Sequence, residues 1–127
     1  MATKELSWLK TKTAKKSKYS GLSDDTIVYR WNGINPGNLA PKPKDLITSN
    51  GRRPSLSFSL VPPVKGQKAG MTTIGALKGT GILNAEQDAP GHVAVTPKYD
   101  TMENWVRLGT SHPCTGAIKS VIIKWEG

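Results

Sequence analysis

The sequence predicts an α+β fold: one small domain with a curved, mostly antiparallel sheet and two or three short helices. Three observations predict it. Residues 26–31 (Thr-Ile-Val-Tyr-Arg-Trp) are β-branched and aromatic and run into Asn32-Gly33, the signature of a strand closed by a turn. Residues 55–61 alternate serine with apolar residues, the period of a half-buried strand. The chain has 127 residues, the length of a single domain.

Each element follows from local chemistry. Ser23-Asp24-Asp25 makes a turn before the first strand, because Asp side chains bond their own backbone. Residues 33–45 hold three prolines and two glycines without periodicity and read as a loop. Asp45-Leu46-Ile47 begins a short helix. In the second strand Leu56, Phe58 and Leu60 share one face and Ser55, Ser57 and Ser59 the other, until Pro62-Pro63 ends it. Residues 67–77 read as helical, with Met71, Ile74 and Leu77 near one stripe. Ile82-Leu83 opens a short strand. Residues 91–97 form another, with His92, Ala94 and Thr96 opposite Val93 and Val95. Residues 101–108 form a helix with Thr101 as N-cap and Gly109 as C-cap. Residues 117–125 read as the terminal strand, because Ile118, Ser120, Ile122 and Lys124 alternate with Lys119, Val121, Ile123 and Trp125.

Composition narrows the function classes. No run of about 18 apolar residues exists, so no transmembrane helix is expected. No apolar stretch follows the N-terminal lysines, so no secretory signal peptide is expected either. One cysteine, Cys114, cannot form an internal disulfide or a cysteine-based zinc site, and two histidines are too few for a His-based one. The acidic residues form no calcium- or magnesium-binding run. No metal is therefore expected, and Cys114 reads as a small half-buried residue.

The net charge is +9. Residues 1–20 form a basic lead-in, with Lys4, Lys10, Lys12, Lys15, Lys16 and Lys18 opposed only by Glu5. Such an arm is a solvated tail, a phosphate-binding segment or a contact for an acidic partner. Leu6, Trp8 and Leu9 suit a short docked turn. The catalytic domain is placed at residues 21–127. Within it Arg52 and Arg53, followed by Pro54, read as a basic loop tip beside an anionic ligand.

Three constellations can carry chemistry. Arg30 lies in an apolar strand between Tyr29 and Trp31, so it either points to solvent or meets an anion with its fork of donors. Ser55, Ser57 and Ser59 form a hydroxyl ladder that faces solvent or a ligand. No Gly-x-Ser-x-Gly elbow is present, which disfavours a hydrolase. His92 is either a structural histidine or a general base, with His112 as the matching acid for RNA cleavage.

Val28-Tyr29-Arg30, followed after roughly 25 residues by Ser57-Phe58-Ser59, resembles the Arg and Ser-Thr-Ser elements of ADP-ribosyltransferases. Residues 91–95 and His112-Pro113 look similar to the C-terminal toxin domains of bacterial polymorphic (Rhs-type) toxins. The resemblance covers residues 26–125. It implies a split sheet gripping NAD. Arg30 would hold a phosphate or ribose, with Tyr29 beside it. Ser57 would orient a catalytic acid and the nicotinamide ribose, and Ser59 would support the strand. A glutamate would stabilise positive charge developing on the sugar. Here Phe58 replaces the threonine, and no Glu-x-Glu or Gln-x-Glu occurs. Of Glu86, Glu103 and Glu126, Glu86 is preferred.

The leading expectation is thus a bacterial toxin domain that transfers ADP-ribose from NAD to RNA, the ribosome or a protein. Arg30, Ser57, Glu86 and His92 would be catalytic. An acidic immunity protein is the expected partner and a membrane is not. The expected location is a target-cell cytoplasm, reached without a signal peptide, or the cytoplasm. Two rivals stand beside it: a metal-independent ribonuclease toxin using His92, Arg30 and a lysine, and a basic nucleic-acid-binding module without catalysis.

Overall fold

A computed structural model describes residues 21–48 and 52–126. The basic lead-in, and with it the docked turn expected at Leu6, Trp8 and Leu9, lies outside the described residues. Among the described residues six strands and three α-helices follow one another: β1 (Ile27–Trp31), β2 (Leu56–Ser59), β3 (Lys68–Thr73), α1 (Ile74–Gly79), β4 (Leu83–Ala89), β5 (His92–Pro97), α2 (Met102–Leu108), α3 (Pro113–Val121) and β6 (Ile123–Glu126). Short 3-10 turns at Pro36–Leu39, Pro43–Leu46 and Gly109–Ser111 punctuate the connections.

The strands form one open sheet in the order β4-β5-β2-β1-β3-β6, antiparallel throughout. The fold is α+β. Most neighbours register over four or more residues, but β1 and β2 register at one pair, Tyr29 opposite Ser59. The sheet therefore has a narrow waist at its centre. Beyond that pair the two strands diverge, and Arg30 and Ser57 lie at the divergence.

The core fills one face of the sheet. Val28, Leu56, Phe58, Leu83, Val93 and Val95 point into it, and the helices add Ile74, Leu77, Met102, Trp105, Cys114 and Ile118. Leu60 packs at its edge. Trp105 is fully buried, and its indole N–H donates to Thr115 Oγ1 at 3.0 Å. The opposite face carries Ser57, Ser59 and His92, which the register aligns across β2 and β5.

Two expected elements take another form. Residues 67–77 are not one helix. Lys68–Thr73 is β3, and only Ile74–Gly79 is helical. Gly70 explains the difference: it sits opposite Arg30, where an added Cβ would lie 2.5 Å from Ile122 Cδ1 and 2.6 Å from Ile34 Cγ2. The chain there needs close backbone approach rather than a side-chain stripe. Helix α1 then begins at Thr73, whose Oγ1 accepts from the Ala76 N–H.

Residues 117–125 are not one strand either. They divide between α3 and β6. His112, expected in a loop, caps α3: its Nδ1 accepts from the Cys114 N–H at 3.0 Å, with Pro113 in the first turn. Cys114 and Ile118, four apart, bury the helix's inner face. The alternating pattern was a helical stripe cut short at Ile122. The strand expected at Ile82-Leu83 runs on to Ala89 and takes Glu86 into β4. The 33–45 loop contains one 3-10 turn and enters a second, which ends at Leu46, where a helix was expected to begin.

Candidate functional site

The site is built at the waist. Arg30 leaves β1 and donates Nη1 to the Ser57 carbonyl at 2.9 Å and Nε to the Asn38 carbonyl at 2.6 Å. Asn38 is itself fixed, since its side-chain amide donates to the Trp31 and Gly33 carbonyls at 2.7 and 2.6 Å. The 3-10 turn Pro36–Leu39 thus clamps the arginine against β2. Burial lowers the Arg30 pKa from its ordinary value, and the Asp45 carboxylate opposes that shift. A guanidinium stays charged and has five donors, of which these two bonds use two.

His92 stands at the start of β5, on the same face as Ser57. Its Nε2 meets Ser57 Oγ at 2.8 Å, a diagonal contact across the β2–β5 ladder. Its Nδ1 bonds Asp88 Oδ1. Both side chains are nearly inaccessible, at 6% for His92 and 4% for Asp88. The backbone explains their meeting. Pro90-Gly91 turns β4 into β5, with Gly91 at φ 69°, where a Cβ would strain the chain. Just before it, the pairing steps from Gln87 opposite Val93 to Ala89 opposite His92. Asp88 is the extra residue of this β-bulge, which aims its carboxylate at the ring. The other carboxylate oxygen, Oδ2, accepts from the Arg53 N–H at 2.8 Å.

Two adjoining cavities share Arg30, Asn32, Arg52 and Ser57 as a common wall. The larger holds about 410 Å³ and is rimmed by Lys42, Lys44, Arg52 and Arg53, with Asp45 the one acid among the described residues that line it. The smaller holds about 290 Å³ and is lined by Tyr29, Trp31, Phe58, Ser59, Gly91 and His92. Together they reach the size of a small-ligand site. One compartment is basic and polar; the other mixes aromatic surface with the His92 ring.

The structure thus brings together Tyr29, Arg30, Ser57, Ser59 and His92. It does not bring the three glutamates with them. Glu86 lies on β4, its side chain exposed and paired with Arg53 Nη1 at 3.0 Å, and is not among the residues lining either cavity. Glu103 is exposed in the first turn of α2, and Glu126 is exposed on the edge strand β6, paired with Lys124 at 3.1 Å. His112 lies elsewhere too. Its Nε2 bonds Asp100 Oδ2 at 2.8 Å beside a third cavity of about 300 Å³ lined by Tyr99, Leu108 and Cys114. It is not positioned as an acid for His92.

Reasoning from sequence missed Asp88 and Asn38. Asp88 had one readable signal: it lies two residues before Pro90-Gly91, so a tight hairpin returns His92 beside it. Asn38 had none, since its role depends on a tertiary contact.

No family model matches this chain, and neither a curated protein nor a solved structure matches it significantly. Among the described residues no group of three or more His, Cys, Asp or Glu is placed to hold a metal ion. No helix among them is long and apolar enough to cross a membrane.

Proposed function

We propose that this chain transfers ADP-ribose from NAD to a macromolecular target and acts as a bacterial toxin domain. One observation carries the reading. Arg30 and Ser57, 27 residues apart, meet at the sheet's waist with His92 bonded to the same serine. Arg30 and Ser57 are residues through which the chain resembles ADP-ribosyltransferases. NAD supplies a glycosidic bond whose cleavage releases nicotinamide.

The cavities fit that substrate chemically. Its pyrophosphate needs fixed cations, and Arg30 and Arg52 stand on the shared wall. Its nicotinamide needs a flat, partly apolar slot, and Tyr29, Trp31 and Phe58 line the smaller cavity. The Ser57 hydroxyl and His92 Nε2 are the polar atoms at the reacting ribose. Glu86 is outside the cavities, so we leave the charge-stabilising place of the resemblance's glutamate unassigned and give His92 the role of proton acceptor. The cationic rim would attract an RNA or ribosomal acceptor and suit capture by an acidic immunity protein. The site of action would be a target-cell cytoplasm.

The test is nicotinamide release from NAD by the full chain in the presence of a bacterial lysate. Wild type should release it, and Arg30→Ala, Ser57→Ala and His92→Ala should each lower the rate. Intact NAD with wild type would overturn the reading.

One observation favours a second reading, metal-independent RNA cleavage. Four cations, Lys42, Lys44, Arg52 and Arg53, rim the larger cavity, more than two phosphates require. His92 would take the 2′-OH proton and a lysine would serve as the acid. RNA cleaved without NAD, and lost in His92→Ala, would establish it.

A further inference from the structure

We propose that Asp88 is the positioning residue that makes His92 Nε2 the base of this site. The role of the base rests on the ADP-ribosyl transfer reading, but the hold on the ring does not. An ionised carboxylate only accepts hydrogen bonds. Asp88 Oδ1 at His92 Nδ1 therefore requires the ring proton on Nδ1. Nε2 is left with its lone pair, and the contact at 2.8 Å is Ser57 donating its hydroxyl hydrogen to it.

The carboxylate cannot swing away. Its second oxygen accepts the Arg53 N–H at 2.8 Å, and the group is buried within the bulge. Donation converges on the carboxylate, from the Arg53 N–H on one side and from the Ser57 hydroxyl through His92 on the other. Such a series fixes both the rotation and the tautomer of the imidazole. It gives the neutral ring a basic nitrogen on the cavity side.

In the transfer step, Ser57 passes its hydroxyl proton to Nε2 as its oxygen takes the proton from the acceptor's hydroxyl. The acceptor oxygen bonds to the ribose carbon as the bond to nicotinamide breaks. Nicotinamide keeps the bonding pair and leaves neutral. The imidazolium that results lies against the Asp88 carboxylate, which stabilises it. No further reactant is needed.

The decisive variant is Asp88→Asn. The Arg53 N–H is a donor, so the amide oxygen of the variant stays on it. The amide NH2 then faces His92 Nδ1. That contact requires the ring proton on Nε2, where it can no longer accept from a hydroxyl. The long-range ¹H–¹⁵N spectrum of the neutral imidazole reads the tautomer directly. Wild type should show the Nδ1–H form and Asp88→Asn the Nε2–H form. The kcat for nicotinamide release should fall on the order of 10²–10⁴-fold with KM little changed, since no cavity residue is altered.

A wild-type spectrum of the Nε2–H form would overturn the proposal whether or not the variant folds. So would a variant that switches tautomer and keeps its kcat. Wild type that shows the Nδ1–H form yet leaves NAD intact would sink the transfer reading, and the base role with it, while the hold of Asp88 on the ring would stand.

Discussion

Arg30 grips Ser57 by its main chain: Nη1 donates to the Ser57 carbonyl at 2.9 Å, joining β1 to β2 where their ladder has already parted. The guanidinium replaces the missing strand-to-strand bonds and is held there with donors to spare. One residue thus closes the waist of the sheet and presents a cation to both cavities.

Arg30→Ala should therefore affect stability as well as activity. It leaves the Asn38 and Ser57 carbonyls without their donor, at a cost of about 1–3 kcal/mol. Arg30→Lys keeps the charge but not the fork, so it should melt closer to wild type and still lose most substrate affinity. Thermal melts beside NAD titrations separate the two effects. Wild-type affinity in Arg30→Lys would show that the fork is not used.

Gly70→Ala tests the crossing of β1, β3 and the end of α3. The new methyl meets Ile122 Cδ1 and Ile34 Cγ2 well inside contact distance. Overpacking of this kind costs about 1–3 kcal/mol. A urea midpoint equal to wild type would mean that the two isoleucines yield freely.

Asp100 predicts an acid-sensitive step. Its carboxyl is held at about 2, below the ordinary 3.8, chiefly by the Asn104 side-chain hydrogen bond, then by His112 and the Thr101 N–H. A carboxylate lowered by folding stabilises the protein above its unfolded pKa. That contribution is complete above about pH 4 and is lost as pH falls toward 2. Asp100→Asn should flatten the melting temperature against pH across that window. Parallel curves for variant and wild type would contradict it.

Cys114 should be chemically silent in the native state. Burial, and then the negative charge of Asp100, push its thiol up to about 11. The thiolate is the reactive form, so a disulfide reagent at pH 8 should react slowly until denaturant is added. Prompt reaction of the folded protein would contradict this burial.

The legible parts of the sequence were those where one physical signal acted alone. The alternation at residues 55–61 placed Leu56 and Phe58 in the core and Ser57 on the opposite face. Thr101 and Gly109 marked α2 at both ends. The Met71-Ile74-Leu77 stripe misled because Gly70 is dictated by a tertiary contact that local periodicity does not encode. The α3 region misled because Ile118, Ser120 and Ile122 fit a period of two as well as a helix that ends there. At the site, Arg30, Ser57 and His92 stood out by their chemistry. Asp88 did not, because a bulge of one residue, invisible in composition, decides where its carboxylate points.

The most direct measurement is incubation of the full chain with NAD radiolabelled in its ADP-ribose portion and a bacterial lysate, beside Arg30→Ala. Wild type should transfer label to RNA or protein, and the variant should not. Unlabelled macromolecules, with the NAD recovered intact, would contradict it.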